Sequence, residues 1–416
     1  MTRRILRNAR DRSGRRIDVV VDESGTIVDV RSSVPVESGD ETTDLNGWLL
    51  LPSLVEPHAH LDKALTADKV PNPRGDLMGA IHAWIDAAGR GVFGLDEMTE
   101  RAISALERLL YSGVTHVRTH VNVGDGDADF VHLRAVRAAA DEMRGLVDVQ
   151  LVALMHSPLA GAAGATNRRM LAQALEMGAD LVGGCPHLED DGAGMIAVAL
   201  DAATDAGVGL DLHVDETLDP TMTRLVDLAR LVSERGFDDP VTASHCVSLS
   251  MQSLVDQERI ARSVAEAGIA VVSLPQTNLF LQGWDHPQAM PRGIAPIDVL
   301  RRHGVVVAAG GDNVQDPFNP LGRSDPFETA SLLVMAAHQR PDEAFAMVSD
   351  EARRALGLPM VDLRIGAVAD LVAVEATSIR EAVAEAPAAR RVFRAGREVA
   401  VTTASRRIMR PGVSSR

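Results

Sequence analysis

Short β-rich runs alternate with longer helical segments through most of the chain, and few folds have this pattern. The helical segments are rich in Ala, Leu and Arg; two of them, 98–112 and 171–178, end in Ser or Gly shortly before the next β-rich run. Alternating strands and helices are typical of βα units around a parallel sheet. Eight β-rich runs occur, at 47–60, 114–121, 147–155, 179–187, 208–216, 241–246, 269–278 and 305–313.

Eight βα units favour a TIM-like (β/α)8 barrel over an open doubly wound sheet. The open sheet normally begins with a Gly-rich phosphate turn after its first strand, and the sequence has no such turn. We therefore predict an α/β fold whose barrel domain spans 49–365.

The two ends of the chain carry a different pattern, because each has two short strand-like runs joined by a turn. These runs are 16–22, 25–30, 369–374 and 391–399. Strand clusters at opposite ends of a chain can share one small sheet. We expect 1–48 and 366–416 to form a small discontinuous β-sandwich domain, with 406–416 disordered or loosely packed.

Composition excludes several classes of protein. The chain has 416 residues, 46% of them apolar, so it can bury a sizeable core. A net charge of −16 disfavours nucleic acids and anionic membrane surfaces as partners. Cys185 and Cys246 are the only cysteines, which favours a reducing cytoplasm. We expect neither a signal peptide nor a transmembrane helix, because no long uncharged apolar run occurs.

A His-x-His motif, Pro57-His58-Ala59-His60, follows the apolar part of the first barrel strand. Residues i and i+2 of a strand point to the same side, so two imidazoles could bind one metal ion. Two solvent-facing loop histidines explain the motif equally well when it is considered alone.

Other ionisable residues stand at the ends of later strands. His213 and Glu216 end the fifth strand, His245 ends the sixth, and Asp312 ends the eighth. Residues at the carboxyl ends of barrel strands generally serve catalysis. The coincidence of four such positions favours a shared site over isolated core histidines.

In their order and their flanking residues these motifs resemble the amidohydrolase superfamily, and bacterial cytosine deaminases within it. The resemblance extends from about Leu50 to Leu371. It rests on Val55-Glu56-Pro57-His58-Ala59-His60-Leu61-Asp62, His116-Val117-Arg118-Thr119-His120-Val121, His213-Val214-Asp215-Glu216, Val241-Thr242-Ala243-Ser244-His245, Leu281-Gln282-Gly283 and Asp316-Pro317-Phe318-Asn319-Pro320-Leu321-Gly322.

The resemblance implies a role for each matching residue. His58, His60, His213 and Asp312 would hold one divalent ion, Fe²⁺ or Zn²⁺, with a position open for water. Strand four ends in Gly183-Gly184-Cys185 without the lysine of dinuclear relatives, so we predict a single ion.

Three of these positions would carry the catalytic chemistry. Glu216 would shuttle protons, and His245 would stabilise the charge that develops on the attacking oxygen. Asp312 would orient the water or take its proton, as a ligand, a base or both. Asp215 would point away, and His120 and His187 would be structural or inner-pocket residues.

Substitutions relative to cytosine deaminases fall where substrate would bind. His156 replaces a glutamine, Asn313 an aspartate, and Phe318 a tryptophan; Lys63 stands where cytosine deaminases have a small polar residue. The His60-Leu61-Asp62-Lys63 motif is similar to that of N-alkylammelide hydrolases acting on s-triazines. A surface or loop lysine is the alternative for Lys63. The predicted substrate-binding set is His156, Lys63, Leu77, Gln282, Asn313 and Phe318.

The predicted function is hydrolytic deamination of a cytosine-like or other amino-substituted nitrogen heterocycle. The alternatives are hydrolysis of an N-alkylamino s-triazine or of a cyclic amide. A non-catalytic barrel that binds small molecules is disfavoured because the ligand set is intact. The resemblance also implies a homo-oligomer.

Overall fold

The computed structural model describes residues 3–127 and 129–409, which form two β-sheets and the helices around them. The distal part of the tail predicted to be loosely packed, 410–416, lies outside the described residues, and 406–409 are exposed without helix or strand. The strands are β1 Arg4–Arg10, β2 Arg16–Val21, β3 Ile27–Arg31, β4 Glu41–Asp44, β5 Leu49–Pro52, β6 Leu54–Ala59, β7 Val114–Val123, β8 Asp148–Met155, β9 Leu181–Gly184, β10 Gly209–Val214, β11 Val241–His245, β12 Ala270–Ser273, β13 Val307–Ala309, β14 Leu371–Val374, β15 Arg390–Arg394 and β16 Arg397–Thr402.

Strands β6 to β13 form a parallel sheet in which each strand pairs with its neighbours in chain order. A parallel bridge between Ala59 and Asp312 joins the first strand to the end of the last. The Asp312 amide also donates a hydrogen bond to the His58 carbonyl at 3.0 Å. The sheet therefore closes into the predicted (β/α)8 barrel, and its seam lies at the predicted metal ligands.

Helices follow the barrel strands, as the βα pattern predicts. Their apolar faces pack on the barrel, which places one large core between the sheet and the helix ring. The helices are α1 Leu77–Gly89, α2 Leu95–Tyr111, α3 Val131–Glu142, α4 Ala165–Glu176, α5 Gly192–Ala206, α6 Arg224–Arg235, α7 Leu254–Glu266, α8 Pro275–Leu281, α9 Ile297–Arg302, α10 Pro326–Ala336, α11 Pro341–Met347, α12 Asp350–Ala355 and α13 Ile379–Glu385. None of the helices in the described ranges is both long enough and apolar enough to cross a membrane.

The second sheet is mixed and is built from both ends of the chain, as predicted. Its strands run in the order β16-β15-β14-β5-β1-β2-β3, with β4 pairing β1. The junction between the two ends is the antiparallel pair of β5 and β14, in which Leu51 lies opposite Val372. A separate apolar cluster that includes Leu6, Val19 and Phe393 packs this sheet.

Four predicted strands differ in extent from the observed ones. The run 47–60 is two strands: β5 belongs to the terminal sheet and only β6 to the barrel. The runs 179–187 and 269–278 end early, because Pro186 begins a short 3₁₀ turn and Pro275 begins α8. The run 391–399 is a hairpin of β15 and β16. The domain limits at 48/49 and 365/366 stay a prediction.

Candidate metal centre and active site

The four predicted ligands converge at the carboxyl ends of three barrel strands. His58 and His60 stand at the end of β6, His213 on β10, and Asp312 just after β13; all four are buried. Asp312 Oδ1 lies 3.2 Å from His60 Nε2 and 3.6 Å from His58 Nε2. The Nε2 atoms of His60 and His213 are 3.2 Å apart. Segments distant in sequence thus bring the four side chains together. The donor atoms of His58, His60 and His213 lie within 4.8 Å of one another, as do those of His58, His245 and Asp312.

The three histidines are held in their neutral form. Burial lowers the pKa of His58 and His213 well below the usual value, and each neighbouring imidazole lowers it further. Burial is also the main cause that lowers the pKa of His60, and the positive charge of nearby Lys63 lowers it further. The Nδ1–H of His60 donates to the His120 carbonyl at 3.2 Å, so its Nε2 is left as the lone-pair donor.

Several buried polar atoms of this cluster have no hydrogen-bond partner in the described part of the chain, which indicates that the cluster is suited to a cation. Among the described residues, His58 Nε2 and both carboxylate oxygens of Asp312 lack a hydrogen-bond partner. Burial tends to raise the pKa of Asp312, but His60 and His245 outweigh it, so the carboxyl is ionised. Two nitrogens bound to one tetrahedral Zn²⁺ lie about 3.3 Å apart, close to the His60–His213 separation. Three neutral imidazoles and a carboxylate are a suitable ligand set for a divalent metal.

Glu216 and His245 lie beside the cluster and are joined by a residue that the sequence analysis missed. The amide nitrogen of Asn278, on α8, is 3.1 Å from His245 Nδ1 and 3.4 Å from Glu216 Oε1. Because that amide nitrogen donates, His245 accepts at Nδ1 and carries its proton on Nε2. Burial lowers the pKa of His245 to about 4, which keeps the ring neutral.

Glu216 is placed to hold a proton. Burial raises its pKa well above the usual value, and the negative charge of Asp312 raises it further. The Asn278 amide and the Gln282 side chain, which donates to the Glu216 carbonyl at 3.3 Å, hold the residue in position. A protonated carboxyl beside a cation site is suited to proton transfer.

A buried glutamate fixes the turn that presents Asp312. Glu56 accepts from the Gly311 amide at 2.9 Å and from the His58 amide at 3.2 Å. A Cβ on Gly310 would lie 2.3 Å from Glu56 Oε1, so this close approach requires glycine. Asp312 itself has φ +63°, a strained conformation for a non-glycine residue. The Glu56–Gly311 hydrogen bond connects β6 to the chain just before Asp312.

Lys63 lies in the turn after β6 and is buried beside the predicted metal ligands, so it is not a surface lysine; its contact with substrate stays a prediction. Its Nζ donates to Asn122 Oδ1 at 2.8 Å and lies 3.3 Å from both Asp62 Oδ1 and His60 Nδ1. His132 contacts Asp62 at 2.9 Å, and Lys63 and His132 hold the pKa of Asp62 below its usual value although burial opposes them. The ammonium group thus stands in a fixed polar network at the site.

The other predicted substrate-binding residues lie on several loops. Asn313 is buried and donates to Asp316 at 2.8 Å. Phe318, in the same loop, is half-buried and donates its amide to Asp316. His156 follows β8 and packs so tightly on Gly124 that a Cβ there would meet its ring. Half-buried Leu77 begins α1, and its contact with substrate stays a prediction.

Three further residues take the positions expected for supporting groups. The Asp215 carboxylate accepts from the amides of Arg224 and Leu225, which begin α6, so it points away from the ligands. His187 Nδ1 contacts the His213 carbonyl at 3.1 Å. The His120 ring stacks on the His58 ring with centroids 4.0 Å apart.

Sequence signals existed for some of the missed residues. Asn278 is the last residue of the predicted run 269–278, although the structure places it on α8 and not at the end of a strand. Ser244 directly precedes His245, and its Oγ lies 2.9 Å from His58 Nδ1. Asn122 and His132 belong to no motif, and only their contacts with Lys63 and Asp62 reveal them.

The chain matches a known family and is similar to characterised proteins. The model of the amidohydrolase family matches residues 94–400, which include His213, Glu216, His245 and Asp312. The pterin deaminase of Rhizobium rhizogenes is 30% identical over 393 residues, covering 92% of this chain and 87% of that protein.

Two solved structures are similar over nearly the whole chain. 5-Methylcytosine deaminase from Klebsiella pneumoniae, liganded with 5-fluorocytosine, has a TM-score of 0.86 and 30% identity, covering 98% of this chain and 99% of that one. N-isopropylammelide isopropylaminohydrolase from Burkholderia multivorans has a TM-score of 0.82 and 30% identity, covering 96% and 99%. The family match spans most of the sequence and includes four of the clustered residues. The chain therefore belongs to the amidohydrolase family, and like the relatives above it is a hydrolase of C–N bonds other than peptide bonds.

Proposed function

We propose that the protein is a metal-dependent deaminase that replaces an exocyclic amino group of a nitrogen heterocycle with oxygen and releases ammonia. The convergence of four metal donors with Glu216 and His245 at one barrel mouth carries this proposal. The relatives named for pterin, 5-methylcytosine and N-isopropylammelide support a heterocyclic substrate.

One ion, Fe²⁺ or Zn²⁺, would be held by His58, His60, His213 and Asp312. When bound, such an ion supplies an activated water nucleophile at neutral pH. The donor set supports a single ion, because β9 is followed by Cys185 and not by a lysine. Burial, and next Glu216, raises the pKa of the Cys185 thiol to about 12, so it is a neutral group and not a thiolate ligand.

Glu216 would move the protons that the reaction requires. Addition of water to the amino-bearing carbon places electrons on the adjacent ring nitrogen, which takes a proton from the Glu216 carboxyl. The water then gives up a proton to the carboxylate so formed. That proton passes to the amino group, the C–N bond breaks and ammonia leaves. The hydroxyl proton that remains on the attacking oxygen returns to the Glu216 carboxylate as the ring carbonyl forms, which restores the starting carboxyl. The sum is one water consumed and one ammonia released.

His245 would stabilise the attacking oxygen. Asn278 occupies its Nδ1, and the opposite nitrogen, Nε2, is buried without a partner among the described residues. An N–H fixed in this way donates to an oxygen that gains negative charge during addition, without reorganisation. Asp312 holds its carboxylate at the same point and can orient the water.

The groups that would face the ring favour an oxygen-bearing substrate. Lys63 supplies an ammonium donor beside His60, whereas cytosine deaminases have a small polar residue at that position. Asn313 in place of an aspartate removes a negative charge next to Asp312. Both changes suit a ring that carries carbonyl or anionic oxygens better than unmodified cytosine. His156, Gln282, Leu77 and Phe318 complete the proposed substrate-binding set.

N-dealkylation of an alkylamino s-triazine is the second candidate. It is favoured by the His60-Leu61-Asp62-Lys63 motif, in which Lys63 is buried at the site. It is also favoured by the similarity to N-isopropylammelide isopropylaminohydrolase. The same residues would act, with an alkylamine leaving in place of ammonia.

A substrate panel tests both candidates. Metal-depleted protein is reloaded with Zn²⁺ or Fe²⁺ and incubated with cytosine, 5-methylcytosine, pterin, ammelide and N-isopropylammelide, and ammonia and isopropylamine are measured separately. We expect ammonia from at least one amino-substituted ring, with unmodified cytosine a poor substrate. Isopropylamine as the main product would select the second candidate.

A matched control is the Glu216→Gln variant, which keeps the four metal donors. It should bind the ion and release no product above background. Loaded wild-type protein that is inert over the whole panel would contradict the deaminase proposal. A clear preference for unmodified cytosine would contradict the argument from Lys63 and Asn313.

A further inference from the structure

Beneath the metal donors, the barrel interior holds a layer of polar side chains. Arg118 on β7, Asp211 on β10, and Thr242 and Ser244 on β11 are all essentially inaccessible to solvent. The interiors of such barrels are usually filled by bulky branched apolar residues. A buried ion pair costs more desolvation than apolar packing would, so stability alone does not account for this layer.

Hydrogen bonds connect the four side chains to one another and, through Ser244, to His58. Arg118 donates to Asp211 Oδ2 at 2.9 Å and to Thr242 Oγ1 at 3.0 Å. Ser244 Oγ lies 3.0 Å from Asp211 Oδ1 and 2.9 Å from His58 Nδ1. The contacts therefore lead from a buried guanidinium to the first histidine of the His-x-His motif.

The direction of each hydrogen bond follows from donor counts. The carboxylate of Asp211 is paired with Arg118 and only accepts, so the single hydroxyl proton of Ser244 points to Asp211. Ser244 Oγ must then accept from His58, which places the His58 proton on Nδ1. The opposite nitrogen, Nε2, is left with its lone pair directed towards Asp312 and the other donors.

We propose that Ser244 is a positioning residue for the metal site, because it transmits the Arg118–Asp211 pair to His58 and fixes the tautomer that binds the ion. The inference rests on the proposed metal site and extends it to residues that contact neither ion nor substrate. Supporting hydrogen bonds of this kind orient ligand histidines and raise their basicity.

The opposite tautomer of His58 would hinder binding of a cation, and the polar layer disfavours that tautomer. Without an acceptor at Nδ1, neutral His58 can carry its proton on Nε2, where it would block the lone pair that a cation needs. His58 and His120 stack closely, so the ring cannot rotate freely to compensate. Burial tends to raise the pKa of Asp211, but His120 and Arg118 lower it, which keeps the acceptor charged.

The test measures Zn²⁺ affinity by competition with a chromophoric chelator, so it does not depend on knowing the substrate. Ser244→Ala should bind Zn²⁺ about 10- to 100-fold more weakly than wild type, the usual effect of removing such a partner. Ser244→Thr keeps a hydroxyl and should recover most of the affinity. Thr242→Val is the matched control, because it removes a hydroxyl from the same layer and strand.

Each outcome decides between the alternatives. Equal losses in Ser244→Ala and Thr242→Val, or a Ser244→Thr variant as weak as Ser244→Ala, would overturn the proposal in favour of general packing. Unchanged affinity in Ser244→Ala would also overturn it. Thermal unfolding of the metal-free variants identifies any that fail to fold, and Ser244→Cys then replaces a misfolded Ser244→Ala. Wild-type protein that binds no Zn²⁺ would instead refute the metal site itself.

Discussion

Replacing Asn278 with alanine removes a side chain that is hydrogen-bonded to both Glu216 and His245. Its amide nitrogen is 3.1 Å from His245 Nδ1 and 3.4 Å from Glu216 Oε1, and the residue is buried. The variant leaves the metal donors in place. It frees the His245 ring to change tautomer and lets the Glu216 carboxyl rotate.

The expected loss of activity follows from the two hydrogen bonds that Asn278 makes. A hydrogen bond of ordinary length contributes about 1 to 1.5 kcal/mol, and the 3.4 Å contact contributes less, so the sum is about 2 kcal/mol. If this energy is lost from the transition state, kcat falls about 30-fold, since about 1.4 kcal/mol corresponds to tenfold. The KM should change little, because neither contact involves the substrate.

The assay is steady-state ammonia release by metal-loaded protein on the best substrate of the panel, with zinc content measured in parallel. Asn278→Asp is the companion variant, because it loses the same donor without opening a cavity and should lose at least as much activity. A kcat within twofold of wild type in Asn278→Ala, at unchanged zinc content, would refute the orienting role. A loss confined to KM would refute it as well.

Two further predictions concern protonation. Glu216→Gln should lower ammonia release at least 100-fold at unchanged zinc content, because general acid–base groups contribute about 10²- to 10⁴-fold; a tenth of wild-type activity would contradict its assignment. Burial, and next Arg353, lowers the pKa of His116 to about 4 in the fold, against about 6.5 when unfolded. The unfolded chain then binds more protons between these values, so stability should fall as pH drops from 6.5 to 4, by at most about 1.4 kcal/mol per pH unit. Urea unfolding at pH 7 and pH 5 should show a smaller decline for His116→Gln than for wild type, and equal declines would contradict this.

The barrel was predictable because its strands carry strong local signals. Each is a short apolar run followed by a helical segment, and the predicted ligands His58, His60, His213 and Asp312 stand where such runs end. Residues that end the barrel strands come together at the carboxyl-terminal face of the barrel, whatever the lengths of the loops. The convergence therefore needed no knowledge of tertiary contacts.

The missed strands lack such a signal. β4 is Glu-Thr-Thr-Asp and largely exposed, and β1 contains three arginines, so neither shows an apolar alternation. The run 47–60 is almost continuously apolar as far as Val55, and no period indicates that the chain leaves one sheet at Pro52 and enters another at Leu54. Side-chain pairs such as Ser244 with His58 depend on ring orientation, which a sequence pattern does not encode.

The seam between β6 and β13 also affects the order of assembly. His58 and His60 belong to the first barrel strand to leave the ribosome, whereas Asp312 follows the last. A nascent or truncated chain that ends before β13 holds only the three imidazoles, and its ring is still open. Binding of a cation by all four residues, as proposed, would therefore require a completed barrel, and loss of that ion should loosen the molecule first at the join between its earliest and latest strands.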